Sequence, residues 1–147
     1  RAVELVQLMV KNHLRPGQMA QRGEMPTNRA IYRYCRDVGG AAIDTLYLNM
    51  ADHLAARGPS LHRDGWSEYC RVTQHVLWEC LQNKTKGPHP KLISGHDIMR
   101  TFSLASGPKV GTLLDLVREA HATGKITTRE EALKLANTML EMGDNGA

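Results

Sequence analysis

A chain of 147 residues, 41% hydrophobic and 23% charged, has the length for one domain or two small helical ones and is too apolar for disorder. Aromatic residues make up only 5%, with a single Phe, which argues against sandwiches and barrels built on aromatic strands. Lys and Arg outnumber Asp and Glu by 19 to 15, and the resulting +4 permits a polyanionic partner without requiring one.

Almost every segment carries a helical period. From Ala2 to Leu14 the apolar positions Ala2, Leu5, Val6, Met9 and Val10 fall three or four apart, so they predict one stripe of a helix. Pro16 and Gly17 are expected to stop it, with residues 18–25 as a loop. Pro26-Thr27-Asn28 supplies cap-type residues for a helix holding Ile31, Tyr32, Tyr34 and Cys35, ended by Gly39-Gly40. The next segment is the most apolar. Ala42, Ile43, Leu46, Tyr47, Met50, Leu54 and Ala55 repeat at helical spacing, so this helix should be central, and Gly58-Pro59 ends it. Asp64 can cap a long helix over 65–82 with Trp66, Tyr69, Val72, Val76, Leu77 and Cys80 inward.

The composition then shifts. Residues 83–93 include Gly87, Pro88 and Pro90 and are expected to form a linker between a helical subdomain over 1–82 and a smaller one over 94–147. Ser94 with Asp97 makes a capping box ahead of Ile98, Met99 and Phe102. Gly107-Pro108 opens a helix whose stripe is Val110, Leu113, Leu114 and Val117, and Gly124 marks its end. Thr128 with Glu131 is a second capping box, for a last helix that Gly143 should stop. The sum is an all-α protein of about seven helices in two packed clusters.

No apolar run approaches the ~18–20 residues that span a bilayer, and no signal peptide opens the chain, so no membrane partner is expected. Cys35, Cys70 and Cys80 are odd in number, lack CxxC spacing and lie in helical patterns, which predicts buried reduced thiols and a cytoplasmic protein. The chain opens on Arg1 rather than Met, as a processed protein or a piece of a longer polypeptide would.

Few residues point to chemistry. His96-Asp97 has the form of an adjacent metal-ligand pair, but its place at a helix start assigns Asp97 to capping. Asp52 stands in the most apolar helix, where a buried carboxylate needs a partner. An ion pair with a core Arg, or a metal or active-site role with His13, both answer that need. His53, His62, His75, His89 and His121 lack metal-ligand spacing and read as surface or helix-end residues. No G-x-S-x-G and no phosphate loop occurs, although Gly107-Pro108-Lys109 would place a lysine at a helix N-terminus. Charge is more telling. Between Leu81 and Arg129 lie eight basic and three acidic residues, a local +5. Lys84, Lys86, Lys91, Lys109, Lys125 and Arg129 belong either to an ordinary solvated face or to contacts with nucleic-acid phosphates. Phe102 is the single aromatic residue among these cations, so the contact would be to backbone rather than to bases.

The segments Leu92-Ile93-Ser94-Gly95-His96-Asp97-Ile98-Met99, Gly107-Pro108-Lys109-Val110-Gly111-Thr112-Leu113-Leu114 and Thr128-Arg129-Glu130-Glu131-Ala132-Leu133 resemble, in order and spacing, the C-terminal region of bacterial tRNA nucleotidyltransferases and poly(A) polymerases. Upstream, Val10-Lys11-Asn12-His13-Leu14-Arg15-Pro16 and Tyr47-Leu48-Asn49-Met50-Ala51-Asp52-His53-Leu54 resemble the later part of an HD domain. Asp52 matches the last aspartate of that pattern, and His13 falls near a late histidine. The resemblance implies a C-terminal fragment of an enzyme that adds nucleotides to RNA 3′ ends, holding a tRNA-like RNA by its backbone. Mg²⁺ would belong to an upstream head, and no cofactor is expected in the fragment beyond a divalent metal at an HD site. On this reading the fragment alone is inactive. Its alternatives are half of an HD-type metal-dependent phosphohydrolase, with His13 and Asp52 as metal ligands, and a structural module that forms a homodimer.

Overall fold

The helical periods become eight α-helices and two 3₁₀ turns in the computed structural model, which describes residues 2–20, 24–86 and 90–144. No strand occurs among the described residues. The chain divides into two compact units, Arg1–Gly87 and Pro88–Ala147.

The first unit contains α1 (Ala2–Asn12), α2 (Leu14–Ala20), α3 (Asn28–Val38), α4 (Ala42–Arg57) and α5 (Arg63–Lys86). Thr27 caps α3 by accepting from the Ala30 amide, as the sequence suggested. Gly39 and Gly58 end α3 and α4 with φ of +55° and +45°, a backbone region that side chains other than glycine's enter at a cost. The core is made by Ile31, Tyr34 and Val38 of α3, Leu46 of α4, and Val72 and Val76 of α5, with Leu8, Met9 and Met19 packed on it. As expected, α4 is central, packing against α1, α2, α3 and α5. It is not buried on several sides, however, for Tyr47 and Leu54 face outward. Polar groups sit inside this core. Asn12, Thr45, Asn49 and Thr73 are buried, the Tyr34 hydroxyl donates to the Ala42 carbonyl, and Thr45 donates to the Ala41 carbonyl.

Four expectations for this unit need correction. Pro16 and Gly17 do not stop a helix; they lie inside α2, which starts afresh after a turn at His13. Pro16 is the third residue of α2, where a missing N–H costs no intrahelical bond. Nor does most of the expected stripe of α1 face inward: Leu5, Val6 and Val10 are exposed, while Met9 packs inward together with Leu8, which the stripe left out. Asp64 lies within the first turn of α5 rather than at its cap, and the helix continues to Lys86, so residues 83–86 are helix rather than linker. Nothing in Asn83-Lys84-Thr85-Lys86 breaks a helix; the breakers begin at Gly87. Finally, Cys35 and Cys80 are joined in a disulfide between α3 and α5, with Cα atoms 5.8 Å apart, while Cys70 remains a half-buried free thiol. The two thiols are separated by 45 residues and meet only because α3 and α5 pack together.

The second unit contains α6 (Gly95–Phe102), α7 (Pro108–Ala122) and α8 (Arg129–Asp144). Its core gathers Ile93, Ile98, Val110, Leu113, Val117, Ile126, Ala132 and Ala136, and Glu119 of α7 is buried as well. Both anticipated capping boxes form. Asp97's amide donates to the Ser94 Oγ at 3.2 Å, while its carboxylate accepts from the Ser94 amide at 2.8 Å. Glu131's amide donates to the Thr128 hydroxyl at 3.2 Å, and its carboxylate accepts from the amides of Thr127 and Thr128. Helix α8 passes through Gly143 to Asp144, one residue beyond its expected stop.

Candidate functional site

The local cationic excess resolves into paired and unpaired charges. Arg118 bonds Asp115 at 3.2 Å and Arg100 lies 3.9 Å from Asp97. Arg129 donates to Asp97 Oδ1 at 2.6 Å, tying the start of α8 to the start of α6. That guanidinium, with help from Ser94, holds the Asp97 carboxyl far below the usual carboxylate range. One of the six candidate RNA contacts is therefore already engaged within the fold. Lys91, Lys109 and Lys125 are exposed, Lys109 in the first turn of α7 and Lys125 just after Gly124. Lys91 and Lys125 form no ion pair among the described residues. The side chains of Lys84 and Lys86, like the whole of His89, lie outside the described residues.

In the first unit, Asp52 is exposed, so it has no buried charge to neutralise and forms no ion pair among the described residues. The expectation of a salt bridge to a core Arg fails because α4 turns this position to solvent. His13 sits at the α1–α2 junction with Nδ1 2.6 Å from the Val10 carbonyl, and it does not line the cleft that Asp52 borders. Among the described residues no three His, Cys, Asp or Glu side chains gather as metal ligands. His13 and Asp52 thus make no complete ligand set within the described residues, and no chemical step is routed through a metal there.

Asp52 borders a cleft of about 460 Å³ between α2, α4 and the start of α5. On its wall the His53 and Tyr69 rings lie 3.8 Å apart, and Trp66 stacks on Tyr69 at 5.8 Å with 14° between planes. The buried Tyr69 hydroxyl donates to Asn49 Oδ1, and burial pushes its ionisation up to about 12. Arg57 Nη1 stands 3.1 Å from His53 Nδ1; burial first, then the Arg57 charge, lowers the His53 pKa. Glu68 also lines the cleft but is bound twice by Arg71, at 2.6 and 2.9 Å. Gly17 lets α2 approach this floor, since a Cβ there would come within 3.3 Å of Asn49 Nδ2. Sequence reasoning placed His53 on the surface and did not single out Arg57. The available signal was the spacing of His53 with Arg57 and of Trp66 with Tyr69, one helical turn each.

No family model and no solved structure matches the chain. Two curated proteins do match. The A-adding tRNA nucleotidyltransferase of Deinococcus radiodurans is 39% identical over 89 residues, which is 60% of this chain and 20% of that protein. The CC-adding tRNA nucleotidyltransferase of Thermus thermophilus is 38% identical over 89 residues, 60% of this chain and 18% of that protein. The match thus spans about one fifth of the length of each relative. The chain is related to the tRNA nucleotidyltransferase family.

Proposed function

We propose that this chain is the C-terminal, RNA-holding part of a tRNA nucleotidyltransferase-type protein and that it grips tRNA through phosphates. The observation that carries this reading is the similarity over 89 residues to two enzymes that act on tRNA yet add different nucleotides. A segment shared by an A-adding and a CC-adding enzyme is assigned the step common to both, which is holding the RNA rather than selecting the nucleotide. Nucleotide transfer and its Mg²⁺ are assigned to the other four fifths of such a protein, and the site of action to the cytoplasm.

Support from the molecule comes from the Pro88–Ala147 unit. Its exposed Lys91, Lys109 and Lys125 project from loops and a helix start, where backbone N–H groups can add to phosphate contacts. Arg129, held by Asp97, is assigned to positioning rather than to a free phosphate contact. Lys84 and Lys86 complete the proposed set. With these five contacts, affinity for a tRNA should fall roughly 130- to 500-fold between 50 and 200 mM salt. Reversing charge at Lys109 and Lys125 together should flatten that dependence. An affinity that ignores salt, or a Lys109→Glu/Lys125→Glu variant that binds like the parent, would falsify the reading.

A further inference from the structure

The α2/α4/α5 cleft has no part in the phosphate grip, yet it gathers rings, charges and a buried hydrogen-bonded pair. We infer that it is a nucleotide seat, taking a base against the His53–Tyr69 ring wall that Trp66 backs, a phosphate at Arg57 and a ribose hydroxyl at Asp52. The proposal goes beyond the phosphate grip and stands on different residues.

Three observations converge on that ligand. The ring wall is fixed rather than mobile: Tyr69 is buried, its hydroxyl is bonded to the buried Asn49, and His53 and Trp66 lie against it. His53 keeps part of its ring on the cleft wall, a preordered planar surface on which another flat ring can stack. The charges are equally specific. Glu68 is neutralised by Arg71, so Asp52 and Arg57 remain as the cleft's charges, one of each sign on α4. Arg57 reaches back to the His53 ring, which sets its guanidinium beside the stacking surface. An organic cation would meet Arg57 and a plain aromatic acid would leave Asp52 unmatched. A nucleotide offers a flat ring, hydroxyls for a carboxylate acceptor and a phosphate for a guanidinium. Finally, about 460 Å³ lies within the range of small-molecule sites. Gly17 helps to shape it, because a side chain there would press on Asn49.

The same chemistry reaches the cleft either as a free mononucleotide or as the terminal nucleotide of an RNA strand. The test uses the full chain carrying Trp78→Phe, so that Trp66 alone reports by fluorescence. Titration with AMP and CMP should give a saturable change. Arg57→Gln should weaken binding about tenfold. In the parent, adenosine should bind about as weakly as AMP binds to that variant. Asp52→Asn should weaken AMP to the affinity of 2′,3′-dideoxy-AMP, which lacks the hydroxyls and should bind parent and variant alike. The pair Lys109→Glu/Lys125→Glu, which tests the phosphate grip, should leave AMP binding unchanged. A short oligoribonucleotide ending in A that binds more tightly than AMP, and loses that binding with Arg57, assigns the seat to an RNA terminus. Binding by the mononucleotide alone assigns it to a free nucleotide. The inference is overturned if no saturable change appears with either probe, if both variants bind like the parent, or if Mg²⁺ or Mn²⁺ alone produces the change.

Discussion

The two units solve the problem of a small helical core in different ways. The Arg1–Gly87 unit carries four polar side chains inside, a disulfide across α3 and α5, and an open cleft beside the buried Tyr69–Asn49 pair. The Pro88–Ala147 unit is simpler: three helices, a mostly apolar core beside the buried Glu119 of α7, and two capping boxes at exposed helix starts. Small domains bury a limited fraction of their surface, so each needs something besides core burial. The first has a covalent link and internal hydrogen bonds, the second has well-made helix ends. Elements that build a cleft are found in the first, while the second leaves its helix ends and lysines facing outward.

The sharpest way to break that comparison is to open the disulfide. Both Trp and all four Tyr lie in the first unit, so intrinsic fluorescence reports that unit alone while helical circular dichroism reports both. Removing a link that spans 45 residues should cost about 4 kcal/mol by chain entropy. In urea, reductant or Cys35→Ser should move the fluorescence transition to lower concentration. The dichroism component that fluorescence does not share should stay where it was. A shift of both components would mean that the units do not unfold independently. The reduced form is also the one that a reducing compartment would hold, so its behaviour bears directly on the assignment to cytoplasm. The converse substitution is Ile98→Ala, at a fully buried position of the second unit, which should cost about 3 kcal/mol. It should move only the dichroism component and leave fluorescence unchanged.

The comparison also explains which parts of the fold were legible in the sequence. In the second unit each helix begins at a local signal, Ser94 with Asp97, Gly107-Pro108, or Thr128 with Glu131, and the structure forms all of them. Such signals act within four residues, so one sequence suffices to read them. The first unit depends on partners far apart in the chain. Pro16-Gly17 reads as a breaker, yet Pro16 is tolerated in the first turn of α2 and Gly17 answers to Asn49, thirty-two positions on. The stripe of α1 was misread at Leu5, Val6 and Val10, which are exposed yet share a helical period with the inward Met9. The pairing of Cys35 with Cys80 leaves no local trace, and the one-turn spacing of Trp66 with Tyr69 does not show that His53 joins them, because α3, α4 and α5 bring these groups together. The exposed lysines were legible as a charge excess. That Arg129 is already held within the fold was not, since it meets Asp97 across thirty-two residues.

The smallest expected effect tests whether caps matter equally in the two units. Thr27 and Thr128 are both exposed hydroxyls that accept from an amide three residues on, each at 3.2 Å. By local chemistry alone Thr27→Ala and Thr128→Ala should each cost about 1 kcal/mol. Their surroundings differ, however. Thr27 opens α3, which the disulfide and the Arg15–Asp37 pair at 3.2 Å also hold. Thr128 shares its box with Glu131, whose carboxylate receives two backbone amides, and that pair is what orders the approach to α8. Loss of Thr128 should therefore register nearly in full in the dichroism component, and loss of Thr27 should register less in fluorescence. Repeating Thr27→Ala in the reduced protein removes one of the two restraints on α3, and the cost there should rise toward that of Thr128→Ala. Equal costs under oxidising conditions would show that each helix start acts alone and that the disulfide contributes nothing to α3 beyond its loop entropy.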